Sequence, residues 1–368
     1  MIWLAWRQIR TQVAVVAGVL VLLGIALVLT GPNLVHLYDT VVKPCEAKSN
    51  CGNVGSFQNK DRFLQSISLL LLIAPVLAGM FWGAPLVARE FESNNFRLVW
   101  TQSVSRLRWL ASKLAIGGLV TAVTVGLLSL MTTWWFSPLD AFANNSLTPS
   151  TFDRRDLVPV AYALFAFVLG ATAGLLIRRT LPAMAVTLFG FIGLRYVVED
   201  SLRPHYMTPL RLTTAFNPLN PVSPVGAGGL TSSDQVVSQE TINGAGHVLS
   251  SNGNVGPTSG EVSVASNGTV TLRGVGTCTG KATDPLVQTG RLNAPSGVQA
   301  VHAHPGALSQ GLNKIVSACA RHYDLRQIVS FQPLNRYWPF QIYESAIFIA
   351  GALVLAGFSL WWVRRHLA

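Results

Sequence analysis

Six stretches of this chain are apolar enough, and close enough to the roughly 20 residues a helix needs, to cross a lipid bilayer. They cover residues 13–29, 67–88, 114–135, 157–177, 181–198 and 342–363. Lipid offers the backbone no hydrogen-bond partner, so runs of this length read as helices that satisfy themselves. Composition agrees: of 368 residues 50% are apolar and 12% charged, and mean hydropathy is +0.41. A soluble chain carries roughly a quarter charged residues. A disordered chain is excluded and a wholly soluble enzyme disfavoured.

The first apolar run does not read as a cleavable signal, being longer than a signal core and lacking a small-x-small site before the next polar stretch. Ahead of it, Ile2, Trp3, Leu4, Trp6 and Ile9 alternate with Arg7, Gln8 and Arg10. Two readings fit residues 1–12: a short helix lying in the membrane interface, which is the one we favour, or an inward extension of the first span.

Net charge is +11, from 27 Lys and Arg against 16 Asp and Glu, and its placement matters more than its size. With both termini cytoplasmic, the cytoplasmic segments hold Arg7, Arg10, Arg89, Arg97, Arg106, Arg108, Lys113, Arg178, Arg179, Arg364 and Arg365 against Glu90 and Glu92 alone. Base-rich short loops mark the cytoplasmic side, so the charge is a topology signal. No aromatic-plus-basic module supports binding to nucleic acid, and none is expected as a partner.

Cys45, Cys51, Cys278 and Cys319 all then fall outside the membrane. An even count on the oxidising side reads as two disulfides, with Cys45–Cys51 closing a local loop and Cys278–Cys319 stapling a larger one. The competing reading, a metal site helped by His302, His304 and His322, lacks zinc-knuckle spacing.

Residues 199–341 turn abruptly to Gly, Ser, Asn, Thr and Pro, roughly 140 residues and enough for a small core of their own. Residues 203–229 read as a Pro-rich extended loop. Alternating runs at 246–250, 261–265 and 269–273, separated by Asn252-Gly253 and Asn267-Gly268, read as strands joined by hairpin turns. Leu308, Leu312, Ile315, Val316, Cys319 and Tyr323 recur at helical spacing. The expected fold class is an all-α polytopic membrane protein of six transmembrane helices plus an N-terminal interfacial helix. A large extracytoplasmic α/β insertion lies between helices 5 and 6. Its parts are residues 1–12, 13–198 with a cytoplasmic loop at 89–113, the disulfide-stapled domain 199–341, and 342–368.

Catalytic motifs are absent. Thr277-Cys278-Thr279-Gly280-Lys281-Ala282 lacks the upstream glycine and the hydroxyl that a P-loop needs, and neither HExxH nor GxSxG occurs. Glu90 and Glu92, two residues apart, point to different helix faces. The chain is expected to be no enzyme and to bind no cofactor or metal. Two charges sit inside the spans, Arg195 near the end of the fifth and Glu344 near the start of the sixth. They read as two ends snorkelling to the interface or as a polar pair at an outer opening.

In the longest cytoplasmic loop Phe96, Val99 and Trp100 share a helical face flanked by Arg97. That pattern suits a short helix docking into a groove of a soluble partner, or one resting on lipid headgroups.

The run from Ala74-Pro75-Val76-Leu77-Ala78-Gly79 through Phe81-Trp82-Gly83-Ala84-Pro85 to Ala88-Arg89-Glu90 is followed by Arg97-Leu98-Val99-Trp100-Thr101-Gln102-Ser103. With the opening Trp3-Leu4-Ala5-Trp6-Arg7-Gln8 and the closing Asn335-Arg336-Tyr337-Trp338-Pro339-Phe340-Gln341 and Glu344, it resembles the permease subunit of bacterial ABC type-2 exporters. The resemblance implies an interfacial N-terminal helix and an ATPase-docking helix formed by Glu90, Asn94, Asn95, Phe96, Arg97, Val99 and Trp100. It also implies an assembly of two permeases, the second expected to be identical, with two cytoplasmic ATPase subunits that carry ATP and Mg. The chain departs from the family in two places: Ser93-Asn94-Asn95 stands where a Gly/Thr turn is usual, and the insertion far exceeds the usual short hairpin. The expected role is an exporter of an amphiphilic drug, peptide or lipid-like molecule across a bacterial cell membrane, in contact with membrane lipids. The alternatives are a membrane-anchored sensor signalling through the cytoplasmic loop, and, less favoured, a gradient-driven transporter.

Overall fold

The computed structural model describes residues 2–37, 72–92, 105–143, 147, 149–215, 230, 234–251, 262–264, 269–272, 276–279 and 321–366. The chain divides into a helical unit, Met1–Tyr206 with Asn335–Ala368, and an inserted unit, Met207–Leu334.

The helical unit contains α1 (Ile2–Leu37), α2 (Leu72–Glu92), α3 (Arg106–Ala143), the short α4 (Pro149–Phe152), α5 (Val158–Ile177), α6 (Thr180–Val197) and α7 (Tyr337–His366). Among the described residues, five helices are long and apolar enough to cross a membrane: α2, α3, α5, α6 with its continuation to His205, and α7 with its preceding turn. The first expected span, Val13–Leu29, is a shorter apolar stretch within α1. No glycine or proline interrupts Trp3 to Ala17, so the helix begun at Ile2 runs on without a break. The favoured separate interfacial helix over 1–12 thus gives way to the alternative reading, an extension of the first apolar helix.

Helix α5 sits at the centre. Fifteen of its twenty residues are buried, and it packs against α2, α3, α6 and α7. Its contact with α2 is made backbone to backbone through small residues. A Cβ on Gly79 of α2 would lie 2.5 Å from the Ala166 carbonyl oxygen, and one on Gly174 of α5 would lie 2.5 Å from that of Ala84. Without a hydrophobic drive between helices in lipid, such close approach is what dispersion requires. Helix α2 carries a π turn over Gly79–Gly83, closed by the Ala84 N–H on the Gly79 carbonyl. Pro85 supplies the cause, since its ring crowds the carbonyl four residues back and it has no N–H to offer.

At one end of the bundle Val87, Phe91, Trp109, Leu110, Leu175 and Val363 draw α2, α3, α5 and α7 into an apolar cluster. Further along, Phe348 of α7 packs edge-on against Tyr162 and Phe165 at 4.5 and 5.4 Å.

The inserted unit holds two antiparallel sheets. In the first, β1 (Leu210–Ala215), β2 (Gln235–Ile242), β3 (Val248–Ser251) and β7 (Arg326–Gln332) take the order β1-β7-β2-β3. The second is the ladder β4-β5-β6, with β4 (Val262–Val264), β5 (Thr269–Leu272) and β6 (Gly276–Thr279). The turn into β3 is built by Asn243, whose Oδ1 accepts from the N–H groups of Ala245 and His247, with Gly246 at φ +83°. The three expected strands are present as β3, β4 and β5, and β4 and β5 pair across Asn267-Gly268. Asn252-Gly253 does not join paired strands, because β3 and β4 belong to different sheets. Leu210–Ala215, expected as loop, is the edge strand β1. The expected helix over 308–323 lies outside the described residues except at its end, where Arg321 and His322 are helical.

Candidate functional site

Two polar constellations stand out in the helical unit. The first surrounds the ends of α2 and α3 that bound residues 93–104. Lys113 of α3 is 4% exposed. It donates to the Leu86 carbonyl at 3.3 Å, forms an ion pair with Glu90 and lies 4.9 Å from the Trp109 ring centre. Two residues beyond Glu90, Glu92 bonds a different element, the start of α6. One of its oxygens accepts the Thr180 N–H and the other the Thr180 hydroxyl, both at 2.7 Å. The two glutamates therefore face different neighbours, as their spacing requires. The α5–α6 turn is tight: Arg178 adopts φ 57° and its N–H closes on the Gly174 carbonyl. Its guanidinium lies 5.4 Å from the Phe91 ring centre.

The second constellation is a buried ionic cluster at the ends of α5, α6 and α7. Arg203 follows a π turn over Val198–Leu202 that continues α6. It donates through Nη2 to Asp153 at 2.5 Å and to Glu344 at 2.6 Å, and through Nε to the second Glu344 oxygen at 2.9 Å. Arg195 donates through Nη2 and Nε to the other Asp153 oxygen at 2.5 and 3.2 Å, and Tyr162 donates its hydroxyl to Glu344. Asp153, Arg203, Tyr162 and Glu344 are each no more than 2% exposed. Two guanidinium groups against two carboxylates leave the buried core of the cluster neutral, the condition under which charges persist away from water. The Arg203 guanidinium also lies 4.7 Å from the Phe152 ring centre.

Local structure holds these groups in place. Gln341 of α7 accepts the Val158 N–H at the start of α5 and donates to the Phe152 carbonyl at the end of α4. Asp156, at φ 58°, receives the Tyr337 hydroxyl on its side chain and the Ser129 hydroxyl on its carbonyl. Around this frame, burial pulls the Arg154 guanidinium below its ordinary pKa, aided by Arg155, and burial beside Glu344 raises that of the Tyr206 hydroxyl.

The structure thus gives Arg195 and Glu344 separate direct partners. They are not bonded to each other but linked through Asp153 and Arg203, and Glu344 is fully enclosed by protein. Asp153, Tyr162 and Arg203 were not singled out by sequence. Glu90 stands at the loop's edge, while Asn94, Asn95, Phe96, Arg97, Val99 and Trp100 lie outside the described residues. So do Cys45, Cys51 and Cys319, with His302 and His304; Cys278 lies on β6 opposite Val270.

Five apolar helices, a glycine-mediated helix pair and an ionic cluster enclosed by the bundle define a multi-pass membrane protein. Residues 17–203 match the family described as ABC-2 membrane transporter related, and the chain belongs to that family. Membership carries an ABC-transporter permease-like role and association with an ABC ATPase. No characterised protein and no solved structure gives a match.

Proposed function

We propose that this chain is the permease subunit of an ATP-binding-cassette exporter. It moves an amphiphilic drug, peptide or lipid-like molecule out of the cytoplasm or inner leaflet, powered by a separate ATPase. The observation that carries this reading is the family match, which runs from α1 to Arg203 and includes both ends of the 93–104 loop. In this reading both termini are cytoplasmic, residues 199–341 lie outside a bacterial cell membrane, and the second permease is identical. The chain itself performs no catalysis and holds no cofactor.

The mechanism follows from the contacts. ATP closes two ATPase subunits, and the segment bearing Phe96, Arg97 and Trp100 takes up the motion. Helix α2 passes it to α5 through the glycine contacts, which are too close to slip without moving backbone. The Asp153–Arg203–Glu344 cluster keeps the far ends of α5, α6 and α7 moving together. Substrate leaves along a path between two permeases. Affinity purification of the tagged chain from its native membrane tests the reading: an ABC ATPase should accompany it, and a preparation free of any ATPase would count against it.

A further inference from the structure

Helix α6 begins without a cap of its own. The first N–H groups of a helix have no intrahelical acceptor, and a Ser, Thr, Asp or Asn side chain ordinarily satisfies one of them. Here the N-cap position is Arg179, which makes no side-chain capping bond. The acceptor comes instead from another helix, 88 residues earlier in the chain: Glu92, the last residue of α2, takes both the backbone N–H and the hydroxyl of Thr180. A carboxylate at this place also complements the positive end of the helix dipole.

The position of Glu92 gives this cap its interest. It is the residue after which the 93–104 segment departs. On the segment's far side Lys113 reaches back from α3 to Glu90 and the Leu86 carbonyl. The segment therefore leaves and rejoins a single platform, and Glu92 extends that platform to α6. Its partner is the start of a span that α2 also meets through apolar packing, such as Ala84 with Ala183. Packing resists separation but carries little directional pull. A two-point hydrogen bond fixes both distance and angle. Because Glu92 is exposed, water can take over from Thr180 when the joint opens, so the bond can be broken and remade within each cycle.

We propose that Glu92 is a positioning residue that couples the 93–104 loop to α6 by capping that helix from outside. The role rests on the permease–ATPase reading above.

The test is hydrogen exchange, followed by mass spectrometry, on the purified permease and on its complex with the ATPase, with and without ATP and vanadate. In the permease alone, Glu92→Ala should speed exchange in the first turn of α6 about fivefold, the scale of a lost cap. Thr180→Ser, which keeps both donors, should leave it unchanged. In the wild-type and Thr180→Ser complexes, trapping with vanadate should alter exchange both at the end of α2 and at the start of α6. In Glu92→Ala the ATPase should remain bound and the α2 response persist, while the α6 response is lost. A Glu92→Ala complex whose α6 responds like the wild type overturns the coupling role alone. A wild-type chain that captures no ATPase overturns the permease reading and the coupling role with it.

Discussion

Arg203 grips Glu344 with two parallel hydrogen bonds, Nε to one carboxylate oxygen at 2.9 Å and Nη2 to the other at 2.6 Å. The 141-residue interval between them contains the whole inserted unit. The chain leaves the helical bundle three residues after Arg203, at Tyr206, and returns nine residues before Glu344, at Asn335. The pair therefore clasps the outgoing and returning stems of the insertion, and Asp153 and Tyr162 tie that clasp to the start of α5.

Removing one member of such a cluster leaves a buried charge unmatched. Arg203→Met should destabilise the protein by about 3–5 kcal/mol, whereas replacing Arg203 and Glu344 together with Met and Gln, which leaves Arg195 paired with Asp153, should recover most of that loss. Thermal unfolding of the detergent-purified protein measures both. A single variant as stable as the wild type would show that the cluster is hydrated and its charges screened.

The glycines divide by what surrounds them. Gly79→Val and Gly174→Val push side chains into the backbone of the facing helix, which cannot yield, and each should cost about 1–3 kcal/mol or more. Gly24→Ala in α1 meets only the terminal methyl of Met131, at 2.6 Å, and a flexible thioether swings aside. Its unfolding temperature should match the wild type. A large loss at Gly24 together with none at Gly79 would reverse the packing assigned to α2 and α5.

For the loop between α2 and α3, the apolar face should outweigh the charge. If this loop docks on the ATPase, truncating Phe96 or Trp100 to Ala removes an aromatic anchor from that interface, a change that often costs about 2 kcal/mol or more. Arg97→Gln, at the rim of such an interface, should cost less. The aromatic variants should reach the membrane yet lose the ATPase on purification. Full retention of the partner by the Phe96→Ala, Trp100→Ala double variant would assign this loop to the lipid surface instead.

The insertion should be extracytoplasmic and oxidised. A cysteine placed at Gly253 should react with a membrane-impermeant thiol reagent in intact cells, and non-reducing mass spectrometry should recover Cys45–Cys51 and Cys278–Cys319 as separate pairs. The longer link closes a loop of about forty residues, which the chain-entropy treatment makes stabilising by roughly 3–4 kcal/mol. Labelling of Gly253→Cys only after lysis, or four free thiols, would refute the topology.

Much of the helical unit could be read from sequence because a span must be apolar along its whole length, and no tertiary contact is needed to see that. The run from α1 back to Ile2 was legible in principle, since nothing between Trp3 and Ala17 breaks a helix. Asn267-Gly268 marked a true hairpin, whereas Asn252-Gly253 did not, because a dipeptide signals a reversal of the chain but not which strand lies beside which. Strand β1 was missed in a Pro-rich segment, and its place comes from pairing with β7, over 110 residues away. The ionic cluster was half visible. Arg195 and Glu344 were conspicuous as charges within apolar runs, yet Asp153 and Arg203 fell in polar connections where a charge is ordinary. One signal remained: a charge enclosed in a span needs an opposite charge, and the connections flanking α5 and the insertion held the available ones.

The central claim, that this chain is one half of a permease driven by a separate ATPase, is tested most directly by the native mass of the complex purified through a tag on the chain. Two copies of this chain with two copies of an ABC ATPase, hydrolysing ATP, is the result expected. A chain that purifies alone, or with a cytoplasmic partner that neither binds nor hydrolyses ATP, would contradict the claim and point to a membrane-anchored sensor.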